Sequence, residues 1–338
     1  MAAKNPMAQL YGQLGSLGLP RKYLRDIVLP SWWEDENADN PTGYAEGLMI
    51  LSRHVGLNLA SMQNKAVPVG LRNLGPCKFK KVGTTTDEEL TLARVLATRV
   101  VELIMPAVPA PVRPLLLSAS AIREQILPEG APWVDLPALM EYCWSIGLPV
   151  LHMSAFPPKA KKMDGMTSVR SGRYCVVLCR NVKHTAWLLF TLAHELGHIL
   201  RGHVSNNGAL VDQEVDRTHA MDAEEQDANT FALELLSGIP TLEVIPVGFK
   251  ASARALAQAA LDAGTHERID PGHLVLNCAY QMGSNFFAIA NAALHLLEPH
   301  SDAVGVVRSH MLAHLDKTQL PEDTYEFVLR VAHAGASM

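Results

Sequence analysis

Apolar residues return every three to four positions through most of the chain, the spacing that lines one face of an α-helix. The pattern runs through residues 42–57 (TGYAEGLMILSRHVGL), 90–105 (LTLARVLATRVVELIM), 118–127 (SASAIREQIL) and 134–147 (VDLPALMEYCWSIG). It resumes from 241 onward, as in 251–264 (ASARALAQAALDAG) and 285–298 (NFFAIANAALHLLE). Local signals punctuate it. Thr86 with Glu89 three residues later reads as a capping box, and the four prolines of 105–114 (MPAVPAPVRP) end the helix it opens. Asp135 starts the helix that Gly147 stops, and Asp270 with Pro271 provides an N-cap and first position further on. In the middle the period changes. Residues 148–153 (LPVLHM), 166–170 (MTSVR) and 173–179 (RYCVVLC) are short β-branched runs, and Ser171-Gly172 between the last two signals a hairpin. A long helix over 182–201 follows, ended by Gly202. A second amphipathic helix over 222–236 is closed by SGIP.

These elements predict an α+β protein: a small antiparallel sheet or hairpin packed on two helices, between mainly helical N- and C-terminal regions. Its 338 residues suffice for several units. The expected division is a helical block over 1–65, a central domain over 85–240 with its core at 135–240, and a helical block over 241–338. Residues 64–85, rich in Gly, Pro and Lys, read as a connection.

The chemistry sits in the first of the two central helices. Residues 186–200 (AWLLFTLAHELGHIL) are apolar except for His194, Glu195 and His198, and ionisable groups are rarely buried without a partner. Residues four apart share a helix face, so the two imidazoles can meet at one point, as zinc requires. Glu195 would then lie beside the metal and take a proton from the water it activates, the H-E-x-x-H mechanism of zinc peptidases. A catalytic zinc needs a third protein ligand. The extended pattern H-E-x-x-H-x-x-G-x-x-H fails, because Arg201 and Val204 stand where its glycine and third histidine belong. His203 is read as a helix-end residue that suits the dipole. In 221–238 (MDAEEQDANTFALELLSG) Glu224 and Glu225 both precede the buried stripe by one turn, and periodicity does not separate them.

Together, LAHELGHIL and the later EQDANTFALELL resemble the ImmA/IrrE family of metallopeptidases, which shows H-E-L-G-H and then E-x-[DE]-A-N-x-F-A. The strand–hairpin–helix order before the motif is also similar, and the overlap covers about residues 135–240. The resemblance implies a zincin-like core with one zinc on His194, His198 and Glu225, and Glu195 as general base. It also implies a protein substrate, such as a helix-turn-helix repressor or an antitoxin, cut in stress responses or mobile-element regulation. The long N-terminal block departs from the simplest members, and no DNA-binding helix-turn-helix is visible. The rival reading is a regulatory or binding protein in which zinc is structural.

The surroundings are less specific. An exposed edge of the strand at Arg173, Tyr174 and Val176 could pair with an extended substrate or simply brace the core. His184, Tyr174, Arg173 and His219 are candidates to stabilise the transition state. Seven basic residues between 159 and 183 (Lys159, Lys161, Lys162, Arg170, Arg173, Arg180, Lys183) face Asp164 alone, either as an electropositive rim or as solvated turns. A net charge of −5 argues against direct nucleic-acid or anionic-membrane binding. Five cysteines without a C-x-x-C pair, no secretory signal and no membrane-length apolar run make cytoplasm the expected address.

Overall fold

The computed structural model describes residues 6–63, 69–72, 74–80, 87–129, 131–161, 163–170, 172–213, 222–244 and 252–332. The chain opens with helices α1 (Pro6–Ser16), α2 (Arg21–Tyr23, continued by a π-helical turn at Leu24–Val28), α3 (Pro41–Val55) and α4 (Leu59–Gln63). Strand β1 (Cys77–Lys80), α5 (Asp87–Ile104), α6 (Ala119–Ile126) and α7 (Leu136–Ser145) follow. Next come β2 (Val150–His152), β3 (Gly165–Arg170), β4 (Arg173–Leu178), α8 (Thr185–Leu200), β5 (Ala209–Asp212) and α9 (Ala223–Ser237). Helices α10 (Ala253–Glu267), α11 (Pro271–Met282), α12 (Phe287–Leu297), α13 (Ala303–His314) and α14 (Glu322–Val331) complete it.

The α+β class agrees with the sequence, and the caps act where expected. Asp135 accepts from Ala138 N at 2.8 Å and Asp270 from His273 N at 2.8 Å. Gly238 takes the left-handed conformation that ends α9. Thr86 lies outside the described residues. Helix α8 starts three residues later than expected, after His184 at its N-cap.

The sheet corrects the expectation of an antiparallel one. Its order is β1-β5-β3-β4-β2; β3 pairs antiparallel with β4 and β5, whereas β1–β5 and β2–β4 are parallel. The antiparallel pairing of β3 with β4 is the expected hairpin. Strand β1 instead enters the sheet from the segment read as a connection, far from β5 in sequence, so a parallel crossover is available to it. It also follows that β4 is an inner strand. Val176 is paired to Thr167 on one side and Val150 on the other, so at that residue both edges are used, whereas the pairing with β2 does not reach Arg173 and Tyr174.

One apolar core runs from Met7 through the sheet and α8 to Ala332. Helices α13 and α14 belong to it, and Val331 O accepts from Ser154 N at 3.0 Å. A second cluster joins α10, α11 and α12 to Ala186 near the start of α8. Among the described residues, no helix is long and apolar enough to cross a membrane.

Candidate metal centre

Helix α8 is buried along nearly its whole length, and His194, Glu195 and His198 are fully buried within it. Their approach to α9 depends on Gly197: a Cβ there would lie 3.0 Å from Ala228 Cα and from its carbonyl oxygen. A small residue on each helix lets the two backbones close, which brings Glu225, in the first turn of α9, over the two histidines.

The imidazoles meet as their spacing predicts. His194 Nε2 and His198 Nε2 are 3.0 Å apart, and the two oxygens of Glu225 straddle them at 3.4 Å each. Glu224 instead points to β1 and pairs with Lys78 at 2.6 Å and Lys80 at 2.9 Å. That resolves which of the two acids faces the histidines. Lys80 also reaches Asp222, the N-cap of α9, and lies 3.7 Å from Glu225, so β1 anchors the start of this helix.

Sequence reasoning missed a fourth member. Asp212, the last residue of β5, is fully buried with Oδ2 3.8 Å from His194 Nε2 and 3.6 Å from His198 Nε2. Ligand atoms of His194, His198, Asp212 and Glu225 all fall within 4.8 Å of one another. The one signal in the sequence was a short apolar run, Ala209–Asp212, that ends in a carboxylate.

The donor set fits a zinc ion. The Nδ1 of His194 lies 2.9 Å from Asn229 Oδ1, so that nitrogen carries the ring proton and Nε2 presents a lone pair. His198 Nδ1 makes the corresponding bond, at 2.8 Å, to His203 Nδ1. His203 is thus a partner of His198 as well as a helix-end residue. Both carboxylate oxygens of Asp212, Oε1 of Glu195 and Oε1 of Glu225 are buried with no hydrogen-bond partner. Buried carboxylates and imidazoles converging in this way are the donor set that a divalent cation takes.

Glu195 lies against the sheet. Thr167 Oγ1 donates to its Oε2 at 2.5 Å, and Gly165 leaves room for the carboxylate: a Cβ there would stand 1.9 Å from Oε1. Burial pushes its pKa up to about 8, partly offset by the Thr167 bond. Burial also pushes the Asp212 carboxyl well up, with the nearby charges of Glu195 and Glu225 adding to it, while burial and the neighbouring His194 hold His198 neutral. Beside β3, Asp164, Cys179, Arg180 and Phe156 line a cavity of about 380 Å³.

Several expected contributors lie elsewhere. His184 caps α8 ten residues before His194, about 15 Å along the helix axis. It pairs with Glu298 at 3.9 Å and cannot reach a substrate at the metal. Tyr174 packs on Val169, Val204 and Leu210 near the hairpin turn. Arg173 holds the carbonyls of Met105, Val108 and Pro109, and Arg170 those of Val169, Gly208 and Leu74. Arg180 stacks over Trp187 at 4.2 Å and pairs with Asp164. Three members of the basic cluster therefore brace the fold. His219 lies outside the described residues.

Residues 147–242, spanning β2 to the end of α9, match the family model of the IrrE N-terminal-like domain, Peptidase_M78. The match shows that this segment is similar to that family. The IrrE N-terminal-like domain takes in all four converging residues and leaves β1 and the helical flanks outside the match. Searches of curated proteins and of solved structures return no match to the chain.

Proposed function

We propose that the chain is a zinc-dependent endopeptidase that cuts a specific partner protein, a helix-turn-helix repressor or an antitoxin being the substrate class, in stress-response or mobile-element regulation. His194, His198 and Glu225 would hold the metal on a zincin-like core. Bound there, zinc would lower the pKa of water and polarise a scissile carbonyl. Glu195, bonded to Thr167, would take the proton of the attacking water and deliver it to the leaving amine.

The observation that carries this reading is Glu195 itself. It is a buried glutamate next to the histidine pair in sequence, one oxygen accepting from Thr167 and the other receiving no donor, as a group kept free to accept a proton would be. Its test is Glu195→Gln in the full chain. The variant should keep its zinc while cleavage falls by roughly 10²–10⁴-fold, the usual contribution of a general base. Comparative proteomics of cells carrying either form should then reveal a protein that accumulates only with the variant. Wild-type cleavage by Glu195→Gln overturns the proposal.

The second reading, a zinc-containing regulatory or binding protein without proteolytic activity, is favoured by Asp212, which offers a fourth donor. It expects Glu195→Gln to leave every function intact.

A further inference from the structure

We propose that Asp212 is a fourth protein ligand, closing the corner of the metal where the attacking water would bind, so that the folded protein is a latent hydrolase. The inference rests on the metallopeptidase reading and concerns the state of its site.

The distances carry it. Zinc with nitrogen and oxygen ligands at 2.0–2.1 Å in a regular tetrahedron separates neighbouring donors by about 3.3 Å. The edges that end on single atoms are 3.0 Å between the two histidine Nε2 atoms, and 3.8 Å and 3.6 Å from them to Asp212 Oδ2. Glu225 stands 3.4 Å from each histidine through a different oxygen, Oε2 towards His194 and Oε1 towards His198. One oxygen of Asp212 therefore stands on the fourth vertex, nearly equidistant from both imidazoles.

The carboxylate is also committed to that place. Asp212 is fully buried, no N–H or hydroxyl donates to its oxygens, and the Glu195 carboxyl lies against it. Its backbone is held from both sides, paired with Lys80 of β1 and Gly165 of β3, and its carbonyl accepts from Asp164 N at 2.9 Å. The side chain can leave the vertex only by turning about its own two torsions or by a shift of the strand end. The charges agree with this arrangement. Glu195, Glu225 and Asp212 bring three negative charges when ionised, and a divalent cation offsets two of them. Hydrolysis then requires the Asp212 carboxylate to give up the vertex to water or to the substrate carbonyl.

Cobalt(II) in place of zinc tests this in the full chain, because its visible spectrum changes when an exogenous ligand enters an open or water-occupied corner and stays fixed when a side chain closes it. The wild-type spectrum should be unchanged by acetohydroxamate at millimolar concentration. Asp212→Asn and Asp212→Ala should bind the metal about 100-fold or more weakly, since even residues that only orient ligands are worth 10–100-fold. Their bands should shift with acetohydroxamate. Variants with wild-type affinity and spectrum overturn the fourth ligand and leave the peptidase reading standing. So does a wild type whose spectrum yields to acetohydroxamate, a measurement that needs no variant to fold. A wild type that binds neither zinc nor cobalt overturns the metal centre and this inference with it.

Discussion

Asn229 accepts a hydrogen bond from Nδ1 of His194 at 2.9 Å, one helical turn after Glu225 on the same face of α9. A single helix thus supplies a ligand and fixes the tautomer of another ligand on α8. Asn229→Ala should leave the fold intact and free the His194 ring to turn. Zinc affinity measured against a chelator should fall by about 10–100-fold. Asn229→Asp keeps an acceptor and should recover most of the loss.

Gly165 is the seat of Glu195. The Cβ of Gly165→Ala would overlap Oε1, and both neighbours are buried, so the carboxylate must leave its bond with Thr167. Metal content should remain near stoichiometric while cleavage drops at least as far as in Glu195→Gln. Overpacking should cost about 1–3 kcal/mol of stability, read from denaturant unfolding.

Gly197 sets the distance between the two metal-bearing helices. In Gly197→Ala the added methyl presses on the backbone of Ala228 at 3.0 Å and moves α9 away. Weaker zinc binding with unchanged helix content by circular dichroism is the expected result. Gly197→Val should be worse in the same direction.

His54 should make its own contribution to the pH dependence of stability. Its ring is fully buried, stacks on Phe327 at 4.6 Å and bonds Val28 O through Nδ1 at 2.8 Å. Thr324 Oγ1 lies 3.4 Å and Asp323 3.9 Å from Nε2, with Arg53 and Arg99 also acting on it. Burial lowers its pKa to about 4. The unfolded chain therefore binds a proton below about pH 6.5 that the folded one refuses until about pH 4. The contribution of His54 is full above that window and is lost as the pH drops through it, by roughly 3 kcal/mol. Melts of the wild type and of His54→Gln from pH 7 to pH 4 should differ by that contribution, the variant losing less stability towards pH 4.

What could be read from the chain depended on how local the information was. His194, Glu195 and His198 were legible because one helix turn decides their arrangement, and the caps at Asp135 and Asp270 because they act within three residues. Choosing Glu225 over Glu224 needed the family resemblance, since it turns on the lysines of β1. Asp212 was invisible: its place comes from a four-residue strand whose position is set by pairing with β3 and β1. The apolar alternation of β4 says nothing of which neighbours flank it, so an inner strand looked like an edge. His184 was named without a distance to judge it by, and a straight helix carries it about 15 Å from His194.

The reach of β1 and α14 sets a limit on how this molecule can be divided. A piece trimmed to residues 147–242 would lose the strand whose lysines grip the start of α9 and would bare the outer rim of β5 beside Asp212. Such a rim invites strand-to-strand self-association. Recombinant work confined to the matched segment should yield insoluble material, and an active-looking motif would be discarded for want of its scaffold.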